Sequence, residues 1–296
     1  MLSILIPTYN QLCLPLVEEL ARQVRRAGVT SEIIVLDDGS TNMKVVGLNT
    51  KIDDIDGCRY VISPENKGIA KTRNRLMDLA QYDNLLFLDS DVMPMNDDFV
   101  KRYVEAIGRA DVVCGGMRYR RGDDGCVNPL RLRYGVTHEE RSVAQRERFP
   151  NEAFISCSFM ISRKASKKNR FDETFDRYGH EDTLFGISLQ QRGLSIAHIE
   201  APVYHDNVDS SEEYMSKVRT SLKSLSMHSE ALTGHSRLLC LYSKLSRFYL
   251  SRPVAKCFSF VRKRMEKNLT GANPSVGLLQ AYKIGYLCSI MNLYSH

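Results

Sequence analysis

The stretch Leu85-Leu86-Phe87-Leu88-Asp89-Ser90-Asp91 decides how this chain is read. Four apolar residues in succession suit a strand buried on both faces, and Asp-Ser-Asp ends that run abruptly. Alternation along an extended segment puts Asp89 and Asp91 on the same side, where two carboxylates repel unless a cation or a proton intervenes. A divalent metal is the favoured solution, and a metal at a sheet edge commonly serves a phosphate. Taken alone, Asp-x-Asp is equally at home in a strand-end turn.

The flanking segments repeat the same plan. Residues 2–6 read as a strand stopped by Pro7 and the polar turn Thr8-Tyr9-Asn10, with a helical pattern over 11–27. Residues 33–36 form a second strand pattern ending in Asp37-Asp38-Gly39-Ser40. A third, 60–62, leads through Pro64 to Asn66-Lys67-Gly68 and a helix carrying Arg73-Asn74. Beyond the Asp89 strand, 154–161 reads as a core strand, Tyr178-Gly179-His180-Glu181-Asp182 opens an apolar-periodic helix, and 196–199 is a short strand pattern ahead of His205. Strands and helices alternating with short polar loops predict a doubly wound α/β domain whose ligand groups collect after the strands. Glu181 and Asp182 fall at a helix N-terminus, where the dipole favours ionised carboxylates and where acids also serve as plain caps.

In this order, the motifs Ile6-Pro7-Thr8-Tyr9-Asn10, Asp37-Asp38-Gly39-Ser40, Asn66-Lys67-Gly68 with Arg73-Asn74, Leu88-Asp89-Ser90-Asp91, Tyr178 to Asp182, Gln191-Arg192-Gly193 and His205 resemble family 2 glycosyltransferases of the GT-A fold. The resemblance implies a catalytic domain over residues 1–206, α/β with a mostly parallel sheet, followed by a helical extension over 207–296. It implies that Pro7, Thr8, Tyr9, Asp38, Asn66, Lys67, Gly68, Arg73, Asp89 and Ser90 line a nucleotide-sugar pocket. By the same match Tyr9 lies against the base, Asp38 accepts the imide hydrogen of uracil, and Arg73 reaches the base or the phosphates. Asp91 ligates the metal, Asp89 contacts ribose or metal-bound water, and His205 completes the metal shell. Two oxygens and an imidazole beside a diphosphate suit Mn2+, with Mg2+ a workable substitute. Asp182 is the general base and Glu181 holds a neighbouring acceptor hydroxyl. The implied reaction is inverting transfer of a hexose or N-acetylhexosamine from a UDP-sugar to a glycan or lipid-linked glycan acceptor, as in surface polysaccharide synthesis. Guanine also offers an imide hydrogen, so a GDP-sugar donor stays open, as does a non-catalytic nucleotide-sugar-binding or membrane-docking protein on the same fold.

Other nucleotide enzymes fit poorly. Pro7-Thr8-Tyr9-Asn10 stands where a dinucleotide fold would carry Gly-x-Gly-x-x-Gly, and no phosphate loop ending in Gly-Lys-Ser/Thr occurs. Between Arg118 and Pro150 lie Arg118, Arg120, Arg121, Arg131, Arg133, Arg141, Arg146 and Arg148. They read as a solvated loop balancing Asp123, Asp124, Glu139, Glu140 and Glu147, or as a contact for a phosphate-bearing acceptor.

The charge of the 296-residue chain is unevenly spread. Residues 207–296 carry thirteen Lys/Arg against five Asp/Glu, or +8, leaving −2 for residues 1–206 out of the overall +6. Leu238, Leu241, Tyr242, Leu245, Phe248 and Tyr249 recur at helical spacing, and after Pro253 so do Val254, Cys257, Phe258, Val261 and Met265. Basic residues flank both stripes, a pattern suited to peripheral membrane contact through 237–267 or to packing with the charges facing water. Apolar stripes between the cations argue against a nucleic-acid partner. No run reaches the ~18 apolar residues of a membrane span. A first residue already next to a strand leaves no room for a signal peptide, and eight cysteines without paired spacing fit a reducing compartment. The expected location is therefore cytoplasmic, peripheral on the inner membrane face.

Overall fold

Seven strands form the main sheet of the computed structural model, which describes residues 1–121, 129–175, 178–205 and 209–293. The strands are β1 (Leu2–Thr8), β2 (Ser31–Asp37), β3 (Cys58–Ile62), β4 (Asn84–Leu88), β6 (Val112–Cys114), β8 (Ser158–Ser162) and β9 (Ile196–His198), in the order β3-β2-β1-β4-β8-β6-β9. All neighbours run parallel except β8, which is antiparallel to both β4 and β6. Three short strands, β5 (Val92–Pro94), β7 (Met117–Tyr119) and β10 (Val203–His205), make a second sheet with β10 in the middle. β1 is buried at every position, as expected of a central parallel strand covered on both faces. It runs through Pro7 to Thr8 and does not stop at the proline. Pro7 lies past the last β1–β4 partner pair, Leu5 with Phe87, so its missing N–H breaks no ladder on that side.

Helices α1 (Leu14–Ala27), α2 (Met43–Asn49), α3 (Ile69–Leu79) and α4 (Phe99–Glu105) connect the first strands, and α6 (Val143–Glu147), α7 (Arg163–Lys168) and α8 (Glu181–Gln191) follow. The strand expected over 154–161 begins only at Ser158. Phe154 stands in the preceding turn and packs its ring on Phe159 and Phe185, at 5.1 and 5.2 Å between centroids. Phe87 stacks on Phe159 at 4.9 Å, and Phe171 on Phe185 at 4.2 Å. This aromatic cluster lies in the core beside Leu5, Leu36, Leu76 and Leu85, beneath the ends of β4 and α8 where the acids sit. Such rings bury large apolar area and prefer these offset or edge contacts.

The arginine-rich stretch is not a solvated loop throughout. It holds β7, α5 (Pro129–His138) and α6, and Arg146 is buried. Its guanidinium donates to the carbonyls of Cys114, Gly115 and Ile199 and meets His198 Nδ1 at 3.1 Å, tying the ends of β6 and β9 together. Gly116, with φ of 89°, leaves the space the guanidinium occupies: a Cβ there would stand 2.8 Å from Arg146 Nη2. Asp123 and Asp124 lie outside the described residues.

A second compact unit is drawn from Arg121–His138, Arg177–His180 and Asn207–His296. The expected boundary between residues 206 and 207 falls outside the described residues, and this unit also takes in two earlier segments. It consists of α5, α9 (Ser211–Met227), α10 (Ser229–Leu232), α11 (Arg237–Arg247), α12 (Ser251–Leu269) and α13 (Val276–Met291). α9 starts on a full capping box between Ser210 and Glu213, and α13 on the Ser275 side chain. α13 packs on α5, α9, α11 and α12. At the α12 contact the Phe258 ring meets Tyr282 edge-on at 5.2 Å and fills the space a Cβ on Gly285 would need. Glu266 gathers Arg262, Arg219 and the Tyr282 hydroxyl at 3.0, 3.5 and 2.7 Å. α9 also grips the pair Gly179–His180: Ser224 Oγ donates to the Gly179 carbonyl at 2.9 Å, and Ser221 Oγ lies 3.1 Å from His180 Nε2. Both residues of that pair have positive φ, 105° and 72°.

Candidate active site

The ends of β1, β2 and β4 deliver the first group of residues, as strand ends of an open α/β sheet do. Past β1, Tyr9 is 47% exposed and its ring is available at the surface. Asn10 adopts φ of 54°, and its side-chain oxygen accepts from the backbone N–H groups of Thr41 and Asn42, fixing the two loops to each other. Past β2 the buried Asp37 accepts from Ser40 N at 2.7 Å and from the Tyr60 hydroxyl. Asp38 turns to the third loop. Its two oxygens accept from Lys67 N and Gly68 N at 2.9 and 2.8 Å, so the carboxylate holds Asn66-Lys67-Gly68 at the start of α3. Gly39 permits this approach, since a Cβ there would come within 2.6 Å of the Glu65 backbone. Each carboxylate oxygen keeps a further lone pair for a ligand donor. Pro7 and Thr8 are buried within the strand, whereas Asn66 and Lys67 are exposed.

Arg73 on α3 joins the second group. It is 3% exposed, and its Nη2 donates to Asp89 Oδ1 at 2.8 Å while Nη1 donates to Glu181 Oε1 at 3.2 Å. The guanidinium carbon sits 5.1 Å from the centre of the Phe171 ring. Its planar fork serves two separate carboxylates, a task for which a single ammonium is poorly shaped. Both terminal nitrogens thus face acids, where contacts to a base or phosphates were expected. Asp89 N donates to the Cys157 carbonyl, fixing the Asp89-Ser90-Asp91 turn to the residue before β8.

Asp182 lies beside this pair, half-buried at the first turn of α8. Burial and the neighbouring Glu181 push its carboxyl up from 3.8 to about 7, against the opposing pull of Arg73 and of hydrogen bonds from Thr183. The Thr183 N–H donates to Asp182 Oδ1 at 2.6 Å. A carboxylate poised near neutrality is the form a general base needs.

Asp91 and His205 meet at the same turn, near enough for both to act on the Asp89 carboxyl. His205 pairs with Val92 across the β10–β5 ladder, so strand register sets it beside Asp91 despite the sequence distance. Its Nε2 lies 3.4 Å from Asp91 Oδ2. The ring stacks on Tyr119 at 5.8 Å, Tyr119 donates its hydroxyl to Glu139, and Tyr119 N donates to Glu140. His205 Nδ1 has no hydrogen-bond partner among the described residues, so strand pairing and stacking fix the ring. A carboxylate oxygen and an imidazole nitrogen facing one another fit a divalent cation that draws its other ligands from substrate phosphates and water. Among the described residues no three His, Cys, Asp or Glu side chains converge as a ready-made cage, and Asp89 Oδ1 is engaged by Arg73.

Sequence reading gave Tyr119 and Phe171 no role at the site and took Glu139 and Glu140 only as acids balancing the neighbouring arginines. They reach the site through the β7–β10 pairing and the aromatic core, and no local motif marks them. A cavity of about 390 Å3 lined by Asn84, Arg109, Asp111, Met160, Ser162 and Ser195 lies at the amino end of β4, opposite the end that carries Asp89.

Comparison with known proteins agrees with this architecture. The family model "Glycosyl transferase family 2" matches residues 3–171. An uncharacterized glycosyltransferase of Haemophilus influenzae is 33% identical over 102 residues, a match covering 34% of this chain and 40% of that protein. The uncharacterized glycosyltransferase YfnE of Bacillus subtilis is 25% identical over 285 residues, covering 76% of this chain and 72% of YfnE. Among solved structures, S. aureus TarS residues 1–349, also determined in complex with UDP-GlcNAc, superposes with a TM-score of 0.53 at 17% identity, covering 100% of this chain and 92% of that one. The mannosyltransferase PcManGT of Pyrobaculum calidifontis, in complex with GDP-Man and Mn2+, gives 0.55 at 15% identity, covering 99% and 87%. At these identities the structural likenesses speak for the fold, which is that of GT-A glycosyltransferases. With the family model spanning more than half of its length, the chain belongs to glycosyl transferase family 2.

Proposed function

We propose that this chain is an inverting, metal-dependent glycosyltransferase that moves a hexose or N-acetylhexosamine from a UDP-sugar to a glycan or lipid-linked glycan acceptor in surface polysaccharide synthesis. We place it at the cytoplasmic face of a membrane, in peripheral contact through 237–267. The observation that carries the reading is Asp182, a half-buried carboxyl raised to about 7 beside Glu181, which Arg73 links to Asp89. Asp182 takes the proton of the acceptor hydroxyl. The acceptor oxygen then attacks the anomeric carbon from the face opposite the nucleotide, the bond to the diphosphate oxygen breaks with its electron pair, and UDP leaves. One such displacement inverts the anomeric centre. Glu181 holds a second acceptor hydroxyl, and Arg73 holds Glu181 and Asp89 in place through one hydrogen bond to each. Asp91 and His205 would hold the cation, and Asp89 would contact ribose or the water around it. When bound, Mn2+ or Mg2+ supplies charge neutralisation at the departing diphosphate. Tyr9 lies against the base, and the free lone pairs of Asp38 take its imide hydrogen. UDP-GlcNAc in TarS and GDP-Man with Mn2+ in PcManGT support a nucleotide-sugar donor and allow either base.

Calorimetric titration of UDP, GDP, dTDP and CDP, with and without Mn2+, tests the donor site. The expected result is Mn2+-dependent UDP binding that Asp91→Ala weakens at least tenfold. Preferential GDP binding replaces the uridine assignment with a guanosine one. Absence of binding by any nucleotide removes the transferase reading.

A further inference from the structure

The two amphipathic stripes of the C-terminal unit meet different fates in the fold. On α12, Phe258 and Met265 of the stripe are buried whereas Cys257 and Val261 are exposed, so packing takes up only part of it. On α11 the only buried residue is Leu239, which lies outside the stripe. None of Leu238, Leu241, Tyr242, Leu245, Phe248 and Tyr249 is buried. At 100° per residue, Leu238, Leu241, Leu245 and Phe248 share one side of α11, opposite or well away from Leu239. The turn that follows is more exposed still: Phe248 is 68% exposed, Tyr249 89% and Leu250 48%. Tyr249 has φ of 60°, a strained conformation for a bulky residue, at a position where its ring gains nothing from packing.

α12 adds a second exposed aromatic. Phe260 is 78% exposed and stands about 200° around the helix from the buried Phe258. Its neighbours on that face are Lys256, Lys263, Arg264 and Lys267, all exposed. Between Arg237 and Lys267 there are nine Lys/Arg and one acid, Glu266, which is taken up by Arg262, Arg219 and Tyr282. The other eight cations form no ion pair among the described residues. An apolar stripe and aromatic tips bordered by uncompensated cations complement one kind of partner best: a surface apolar below and anionic above.

We infer that the α11–α12 hairpin docks on anionic phospholipid, inserting the α11 stripe with the Phe248-Tyr249-Leu250 turn and Phe260, while the lysines and arginines around them face the headgroups. This rests on the membrane contact proposed above and names its anchors. On α12 the anchor is Phe260, since Phe258 and Met265 are spent on the protein core.

The test is co-sedimentation of the full chain with phosphatidylcholine vesicles, with and without phosphatidylglycerol. Binding is expected only to the anionic vesicles and is expected to fall steeply with added salt. At about 1 kcal/mol per basic residue near such a surface, Lys256→Gln with Lys263→Gln weakens partitioning about 30-fold. Phe248→Ser and Phe260→Ser each weaken it tenfold or more, from the apolar area no longer buried. Failure of the wild type to pellet with anionic vesicles overturns the inference, as does equal binding to neutral ones. Self-association abolished by Phe248→Ser, with no vesicle binding, also overturns it and assigns the face to a second copy of the chain. UDP titration of the same preparations separates the two proposals. A chain that binds UDP but no vesicle loses only the docking surface, and one that binds vesicles but no nucleotide loses only the transferase reading.

Discussion

Asp182→Asn probes the proposed base and its surroundings in one substitution. The side chain keeps its size, and an amide oxygen can still accept from the Thr183 N–H. Only the titrating charge is lost. Raising the carboxyl from 3.8 to about 7 corresponds to about 4 kcal/mol at ~1.4 kcal/mol per pH unit. Asp182 is only half-buried, so solvent screening brings the expected cost to about 2 kcal/mol. The sign follows from proton linkage. The folded pKa lies above the unfolded one, so the folded chain holds its proton to higher pH. Stability is unaffected below about pH 4, falls as pH rises towards 7, and stays lower beyond it. Asp182→Asn removes that cost, so the variant is about 2 kcal/mol more stable than the wild type at pH 8 and equal to it near pH 3.5. Urea unfolding at the two pH values reads the difference. The same variant loses about 10²–10⁴-fold in kcat, and the wild-type rate rises with pH through about 7 as the base loses its proton. A variant that turns over at the wild-type rate, or that gains no stability at pH 8, refutes both the base assignment and the electrostatic account behind it.

Three further expectations follow from the geometry. Arg73→Lys leaves either Asp89 or Glu181 without its partner in a buried setting, and should cost about 2–4 kcal/mol of stability in urea unfolding; a change under about 0.5 kcal/mol contradicts the bridge. Gly179→Ala forces a Cβ to 2.6 Å from Ser221 Oγ at a φ of 105°, immediately before Glu181 and Asp182. It should cost about 1–3 kcal/mol in urea unfolding, and Ser221→Gly in the same chain should restore part of the loss; an unchanged midpoint shows that α9 does not hold Gly179 tightly. Arg146→Met strands the carbonyls of Cys114, Gly115 and Ile199 and should destabilise by about 3–5 kcal/mol, read as a shifted unfolding midpoint, with a neutral result refuting its role as a clamp.

What could be read without the structure follows the range of the forces involved. The sheet, its mostly parallel order and the strand-end position of Asp38, Asp89 and Asp91 are set by short-range signals. Apolar runs such as Leu85 to Leu88 must be buried on both faces, and each is followed at once by its turn. Glu181 and Asp182 are likewise local, placed by the helix they begin. The basic character of the C-terminal unit is visible in composition alone. Side-chain destinations were settled by tertiary structure. Periodicity marks Phe258 and Phe248 equally as members of apolar stripes, yet Phe258 is buried against Tyr282 of α13 while Phe248, at the cap of α11, stays exposed. Arg146 looks like any surface arginine in a row of letters, and Arg73, though part of a motif, shows nothing of its two acidic partners. Arg73 is drawn in by two carboxylates and Arg146 by three carbonyls, all from segments distant in sequence. His205 stands beside Asp91 because the register of β10 on β5 puts it there, and register is fixed by which faces two strands bury together. The sequence by itself therefore determined the elements and the chemistry at their ends, through local propensity and burial pattern. Only the packed chain decided which charges meet, because that depends on contacts between segments a hundred residues apart.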